Sequence, residues 1–315
     1  MEKTLDVLVI GELNVDLILN EIESFPEMGK EKIARRMSLV MGSSSAIFAC
    51  NLASLGNRVG FIGMIGDDSF GRLVLEQLER KKVDTGLIIR SASAFTGATV
   101  VLNFGQDRAM VTCPGAMESL TIKDIPFHAM ERARHLHLSS FFLQPGIRGD
   151  VKEIFRAARE RGLTTSLDIQ WDPEEKWDFD YPSVLPYVDV FLPNETEITA
   201  LTGKADPADA IQKIKEYANT IAVKCGERGA LLWSDNRLEQ GKAYFNDRVV
   251  DAIGAGDSFN AGFIHRFLKG APGKECLGFG NLAGAISTTA AGGTGAFTTP
   301  EEIMHLARTR FRYEE

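Results

Sequence analysis

Asp251-Ala252-Ile253-Gly254-Ala255-Gly256-Asp257-Ser258-Phe259-Asn260 is a glycine-rich turn that runs straight into apolar residues at helical spacing, Ala261, Ile264, Phe267 and Leu268, closed by Gly270. Glycines leave the backbone N–H groups of such a turn unobstructed, and the first amides of a helix lack intrahelical partners, so the segment is suited to hold an anion. A carboxylate touching that anion would repel it, which makes Asp257 a puzzle. It makes chemical sense as the group that takes the proton from a hydroxyl attacking a bound phosphate. A helix N-cap asks for an aspartate at the same place, and on this segment alone the two roles stand level. Spacing rules out two familiar phosphate loops. Every Gly-Lys pair precedes Glu31, Ala205, Ala243 or Glu275 instead of serine or threonine, so there is no P-loop. A dinucleotide fingerprint needs glycine or alanine where Phe259 stands, and follows a first strand.

Outward from this loop, strands and helices alternate. Residues 6–10 are an apolar run closed by Gly11, the pattern of a strand covered on both faces. A helix is expected over 46–55, a strand over 59–65, and a helix carrying Phe70, Leu73, Val74 and Leu78, with Lys81 and Lys82 favouring the dipole of its last turn. Strands at 135–139, 164–168 and 188–192 trade places with helices at 151–161 and 195–201. Asp206-Pro207, an N-cap with proline at the first helical position, opens a helix to Tyr217; a strand over 221–225 and a hairpin arm over 230–233 follow. This alternation implies an α/β fold, a mainly parallel sheet with helices on both faces. Residues 32–41 and 98–103 break the rhythm and fit strands exposed on one face, together a small lid. With no long linker and no repeat, residues 1–315 are expected to form one domain, its β lid inserted from segments near 12–41 and 95–112.

The 35 Lys and Arg against 43 Asp and Glu leave a net charge of −8, the wrong sign for a protein that neutralises nucleic-acid phosphates. No apolar run approaches the roughly 18 residues of a membrane span, and Glu2 and Asp6 spoil a signal-peptide start. No nucleic-acid or membrane partner is therefore expected, and the protein reads as cytoplasmic. Cys50, Cys113, Cys225 and Cys276 lack ligand-like spacing and are expected as buried, reduced thiols. His135 and His137 share one strand face without a third metal ligand, so core or surface histidines are expected rather than a metal site.

Asn194 and Glu197 begin a helix after a strand, one turn apart on one side. Glu197 can hold Mg²⁺ through waters; Asn with Glu three residues on is equally a capping pair. Lys224-Cys225-Gly226-Glu227-Arg228-Gly229 follows another strand, and its glycines either approach a nucleotide or simply turn a hairpin. At the strand end Asp168-Ile169-Gln170-Trp171-Asp172-Pro173, Gln170 or Asp172 can reach a site, or Asp-Pro simply makes a turn.

In order, these pieces resemble the ribokinase-type (PfkB) family of carbohydrate kinases over nearly the whole chain. The Asp-x-x-Gly-Ala-Gly-Asp signature matches at Asp251, Gly254, Ala255, Gly256 and Asp257, Asn-x-x-Glu at Asn194 and Glu197, and Gly-x-x-Asn-x-Asp at Gly11, Asn14 and Asp16. The resemblance implies a ribokinase-like three-layer sandwich with a small β lid. It implies Asp257 as catalytic base, Gly254, Ala255 and Gly256 as the anion hole, and Asn194 with Glu197 as Mg-phosphate partners. Asp16 would bind substrate hydroxyls with Asn14, Gly42 and Ser43 beside it, and Lys224, Gly226, Gly229 and Asn281 would form the nucleotide pocket. ATP and Mg²⁺ are the implied cofactors, with a monovalent cation such as K⁺ as a further candidate. The chain departs from the family where Gly-Gly and, four residues on, Asn are usual: Ser43 follows Gly42, and Ile47 takes the Asn position. A serine of Ser43-Ser44-Ser45 would replace the missing contact, or Ile47 would meet an apolar edge of the substrate; one serine as a helix cap is the plainer alternative.

The expectation is an ATP-dependent kinase acting on a hydroxymethyl group of a sugar or sugar-like small molecule. A nucleoside kinase of the same fold and a catalytically silent sugar- or nucleotide-binding regulator are the alternatives. A serine hydrolase built on Gly42-Ser43-Ser44-Ser45-Ala46 has no assignable His and acid partners. A lid with an apolar outer face would pair two copies into a homodimer.

Overall fold

The computed structural model describes residues 3–104 and 107–314, which leaves residues 105 and 106 of the expected 95–112 segment outside the described residues. Along the chain run β1 (Leu5–Ile10), β2 (Asn14–Asn20), β3 (Arg36–Met41), α1 (Ser44–Ser54), β4 (Val59–Gly66), α2 (Ser69–Arg80), β5 (Asp84–Ser91), β6 (Thr96–Phe104), β7 (Asp107–Gly115) and β8 (Ala133–Ser139). Then come α3 (Pro145–Arg148), α4 (Val151–Glu160), β9 (Thr164–Asp168), α5 (Tyr181–Val184), β10 (Val190–Phe191), α6 (Glu195–Thr202), α7 (Pro207–Ile214), β11 (Thr220–Lys224), β12 (Ala230–Ser234) and β13 (Arg237–Gly241). The helices α8 (Ala255–Phe267), α9 (Gly273–Ser287) and α10 (Pro300–Phe311) close the chain.

A nine-stranded sheet in the order β13-β12-β11-β10-β9-β8-β1-β4-β5 is parallel from β5 to β11 and antiparallel at β12 and β13. In β1, Leu8 and Ile10 enter one core with Leu136, Leu138 and Phe155, while Val7 and Val9 enter another with Phe48, Phe61 and Phe263. Burial on both faces is why these strands read as unbroken apolar runs, and it makes the expected three layers. Among the described residues no helix is long and apolar enough to cross a membrane.

The strand expected at 188–192 shrinks to Val190–Phe191; at Asp189 the N–H still donates to the Thr165 carbonyl (3.0 Å), and its carboxylate accepts from the Thr165 N–H (2.8 Å) and Oγ1 (3.2 Å). The helix expected to reach Tyr217 ends at Ile214, where Tyr217 N–H turns back onto the Ile214 carbonyl. Cys113, expected among the buried thiols, is exposed on β7. Of the two expected alternatives, core and surface, His135 and His137 take the core: a chain of hydroxyls and imidazoles, Thr164–His135–Ser166–His137–Ser139, links them at 2.7–2.8 Å. Burial holds His135 neutral, its pKa pushed down to about 3.

A second, four-stranded sheet has the order β3-β2-β6-β7. Its register places Asp16 beside Val40 and Thr99 on one face, and Leu17, Leu39, Val100 and Val111 on the other. Leu39, Met37 and Val111 on that second face are exposed.

Candidate active site

The site forms where α8 starts. Gly254, the residue before the helix, has φ 75°, and a Cβ there would lie 2.6 Å from Gly293 Cα and 3.1 Å from Ile47 Cγ2. Only glycine fits both the left-handed backbone and the contact. Asp251 pins the turn from outside: its Oδ1 accepts from Ile253 N–H and its Oδ2 from Gly292 N–H, each at 2.9 Å. From α1, Asn51 Nδ2 donates to Ser258 Oγ and the Gly293 carbonyl, both at 2.9 Å. Ala255 N–H folds back on the Ala252 carbonyl and Ser258 N–H on that of Gly254, whereas the amides of Gly256 and Asp257 find no acceptor among the described residues. Of the expected anion-hole residues Gly254, Ala255 and Gly256, Ala255 has its N–H already spent on Ala252, and the open donors of the first turn of α8 are those of Gly256 and Asp257.

Asp257 does not cap its helix. The residue before α8 makes no side-chain cap, and the Asp257 carboxylate instead accepts from Gln170 Nε2 at 3.1 Å. The same amide nitrogen donates to Asp168 Oδ2, also at 3.1 Å. Asp168, fully buried at the end of β9, accepts further from Lys224 Nζ (2.6 Å) and Asn260 Nδ2 (2.5 Å). Burial, then the Asp168 charge, push the Asp257 carboxyl up to about 8 against the opposing pull of Lys224. Lys224 keeps its proton: burial works against its charge, but Asp168 and Glu197 outweigh burial and raise its pKa. Gln170 thus reaches the site. Asp172 does not, since it accepts from Glu174 and Trp177 N–H groups and stabilises its own turn.

Asn194 and Glu197 make the reciprocal cap of α6: Glu197 N–H donates to Asn194 Oδ1, and Asn194 N–H and Nδ2 donate to the two Glu197 oxygens at 2.8 and 2.6 Å. Burial and then Asp168 raise the Glu197 carboxyl to about 7. Gly226 and Gly229 serve the turn between β11 and β12: both have positive φ, and a Cβ on Gly229 would strike the Gly241 carbonyl. Asn281 on α9 is buried, its Nδ2 without a partner among the described residues and facing Gly241.

On the second sheet Asn14 Nδ2 donates to Asp16 Oδ1 (3.1 Å) and Thr99 Oγ1 (3.0 Å). A Cβ on Gly42 would fall 2.2 Å from Asp16 Oδ1, so glycine there makes room for that carboxylate. Burial raises the Asp16 carboxyl to about 6, with Glu12 adding to the rise. The substrate contact expected of Ser43 gives way to the plainer role. Its hydroxyl donates to the Glu12 carbonyl (2.6 Å) and accepts from Ala46 N–H (2.8 Å), capping α1. Ser45 donates to the Glu12 carboxylate, and Ser44 is the serine that approaches Asp257. Ile47 is buried and packs under Gly254 and Gly293. Asp168, Asn260, Glu12 and Asn51 were not singled out from sequence. Asp168 alone carried a signal, its place at a strand end.

The family model for pfkB family carbohydrate kinases matches residues 4–300. The chain is 30% identical to an ATP-dependent ribose-1-phosphate kinase of Halopiger xanaduensis, covering 93% of this chain and 94% of that protein. It is 28% identical to a 2-dehydro-3-deoxygluconokinase of Bacillus subtilis, covering 95% and 94%. The structure of Arabidopsis thaliana ribokinase complexed with ribose and ATP superposes with a TM-score of 0.82 at 24% identity, over 97% of this chain and 99% of that one. With the glycine turn, the buried carboxylate and the two-sheet architecture all in place, the chain belongs to the pfkB family of carbohydrate kinases.

Proposed function

We propose that this carbohydrate kinase transfers the γ-phosphoryl group of ATP to a hydroxymethyl group of a sugar or sugar-like small molecule, with Asp257 accepting the hydroxyl proton. One observation carries the reading: a buried carboxylate and two open main-chain donors share the first turn of α8. The open amides of Gly256 and Asp257, with the α8 dipole behind them, stabilise negative charge on the phosphoryl group in flight. Lys224, whose Nζ would lie 3.8 Å from a Cβ on Gly256, adds a fixed positive charge beneath the same turn. A carboxyl poised near neutrality suits proton transfer from an alcohol better than an ordinary aspartate does.

The residues present fit nucleotide and metal. The orphaned Asn281 Nδ2 is a donor in want of an acceptor, as a nucleotide would supply. Mg²⁺ keeps part of its water shell and is shared with nucleotide phosphates, so one carboxylate suffices to face it. Glu197 would face it, its first lone pairs already on the α6 cap, and the ion would supply charge neutralisation to the phosphates. Gly226 and Gly229 would border the nucleotide, and Asp16, steadied by Asn14 and given room by Gly42, would hold acceptor hydroxyls. Asp257→Asn tests the reading: turnover is lost while nucleotide affinity stays within about twofold, and unchanged turnover rejects it.

ATP consumption across sugars and nucleosides separates the sugar kinase from a nucleoside kinase and from a silent binder. Ile47, spent on the Gly254 turn, lends the nucleoside alternative no support. A monovalent cation such as K⁺ belongs to the same proposal, tested by exchanging it for tetramethylammonium in the assay. The β3-β2-β6-β7 sheet would close over the acceptor as a lid inserted in a single domain, its exposed Met37, Leu39 and Val111 pairing two copies into a homodimer. Light scattering at monomer mass would remove the dimer. A cytoplasmic setting accords with four cysteines that form no disulfide.

A further inference from the structure

We propose that Gln170 is a positioning residue for the proton-accepting carboxylate, its side-chain amide spanning Asp168 and Asp257 so that the Asp257 carboxylate is held through Oδ1 in the orientation the acceptor hydroxyl requires. This rests on the assignment of Asp257 as the base. The geometry is specific to an amide of this length. One NH₂ group has two hydrogens, and each meets one carboxylate, at 3.1 Å in both cases. A glutamate would set a third carboxylate between the two, and an asparagine would fall a methylene short. The backbone is committed to the same end: Gln170 has φ 59°, a left-handed conformation unusual for a residue with a side chain, and its own N–H donates to Asp168 Oδ1 at 3.2 Å. Strained backbone of this kind persists where surrounding contacts determine it. Here they run from Lys224 on β11 and Asn260 on α8 through Asp168 on β9 to Gln170.

Donation to the ionised form of a carboxylate favours that form, so Gln170 also holds Asp257 against proton uptake. The charged and polar groups around Asp257 are Asp168, Lys224, Glu12 and the Ser44 hydroxyl of α1; Glu197 acts on Asp168 and Lys224 from α6. With the amide gone, Asp168 and Asp257 face each other unbridged, and proton uptake by Asp257 becomes easier.

The test is the pH dependence of kcat/KM for the acceptor at saturating Mg-ATP, measured on the full chain. Gln170→Met keeps the length and removes the donor. Gln170→Gly suits the left-handed backbone and so protects folding, which thermal denaturation checks. Both variants are expected to lose tenfold or more in kcat and to shift the acidic limb of the profile upward by about one pH unit, with the KM for ATP changed less than about twofold. A merely structural role would lower activity at every pH alike, and an acidic limb that stays in place in either folded variant overturns the proposal. Asp257→Asn separates the two levels: if it retains turnover, the assignment of the base fails; if it is inactive while the Gln170 variants keep the wild-type profile, only the role of Gln170 fails.

Discussion

Gly254 and Gly256 stand two residues apart in one turn, yet alanine should do opposite things at each. At Gly254 the backbone is left-handed, φ 75°, which costs an L-residue about 1–2 kcal/mol, and the new Cβ would lie 2.6 Å from Gly293 Cα. Backbone meets backbone there, so the loop must shift, at roughly 1–3 kcal/mol more by the usual cost of overpacking. At about 2 °C per kcal/mol for a chain of this size, Gly254→Ala should melt roughly 4–10 °C lower. At Gly256 the backbone is helical, and the nearest atoms to a Cβ are Lys224 Cδ at 3.7 Å and Nζ at 3.8 Å, ordinary contact. Alanine for glycine in a helix contributes about 0.5–1 kcal/mol, so Gly256→Ala should melt no lower than the parent. Its methyl group, however, fills the space between the open amides and Lys224. Loss of one donor to a developing oxyanion typically costs about 10²–10³ in kcat, and a fall of that order is expected. Differential scanning fluorimetry and coupled kinase assays on the two variants decide it. A Gly256→Ala enzyme that is fully active, or that melts well below wild type, refutes the assignment of that space to the transferred phosphoryl group.

Gly42→Ala pushes a methyl group into Asp16, 2.2 Å from Oδ1, and should raise the acceptor KM tenfold or more, equivalent to about 1.4 kcal/mol, while the KM for ATP holds; equal changes in both would count against Asp16 as the acceptor contact. Asp257→Asn should gain stability as well as lose turnover. The folded carboxyl has its pKa raised to about 8 from 3.8, so the native state binds the extra proton and wild type loses stability as pH rises through this window. The advantage of the variant should therefore grow by at most about 1.4 kcal/mol per pH unit from about pH 4 to 8 and level off above it; urea denaturation at both ends showing one constant difference would contradict this. Ile47→Asn, which restores the usual family residue, should cost about 2–4 kcal/mol by emptying the support under Gly254 and burying an amide, and should not lower the sugar KM; a lower KM would return Ile47 to the substrate site.

What could be read from sequence was what neighbours in the chain decide. The turn at 251–257 is legible because glycines and a following apolar period lie side by side, and β1 because a strand buried on both faces has no polar alternation to hide it. β13 was invisible for the converse reason: four of its five residues are exposed, so no periodicity marks it. The centre of the site belongs to a third kind. Asp168 meets Lys224 across 56 residues and Asn260 across 92, and no local pattern encodes a contact that exists only once three strands and a helix have assembled.

The three serines at the start of α1 show the limit at closest range. Identical in type and adjacent, they take a helix cap, the neighbourhood of Asp257 and the Glu12 carboxylate in turn, because Ser43 sits outside the helix as its cap and the step from Ser44 to Ser45 rotates the side chain by about 100°. Motif matching located the group and could not distribute its roles. One and two turns on, the same rotation sends Ile47 and Asn51 beneath the glycine turn. α1 and the turn before it thus reach Asp16 through Gly42, Asp257 through Ser44 and the Gly254–Gly293 contact through Ile47 and Asn51, so a substitution at Ile47 acts on Gly254 directly.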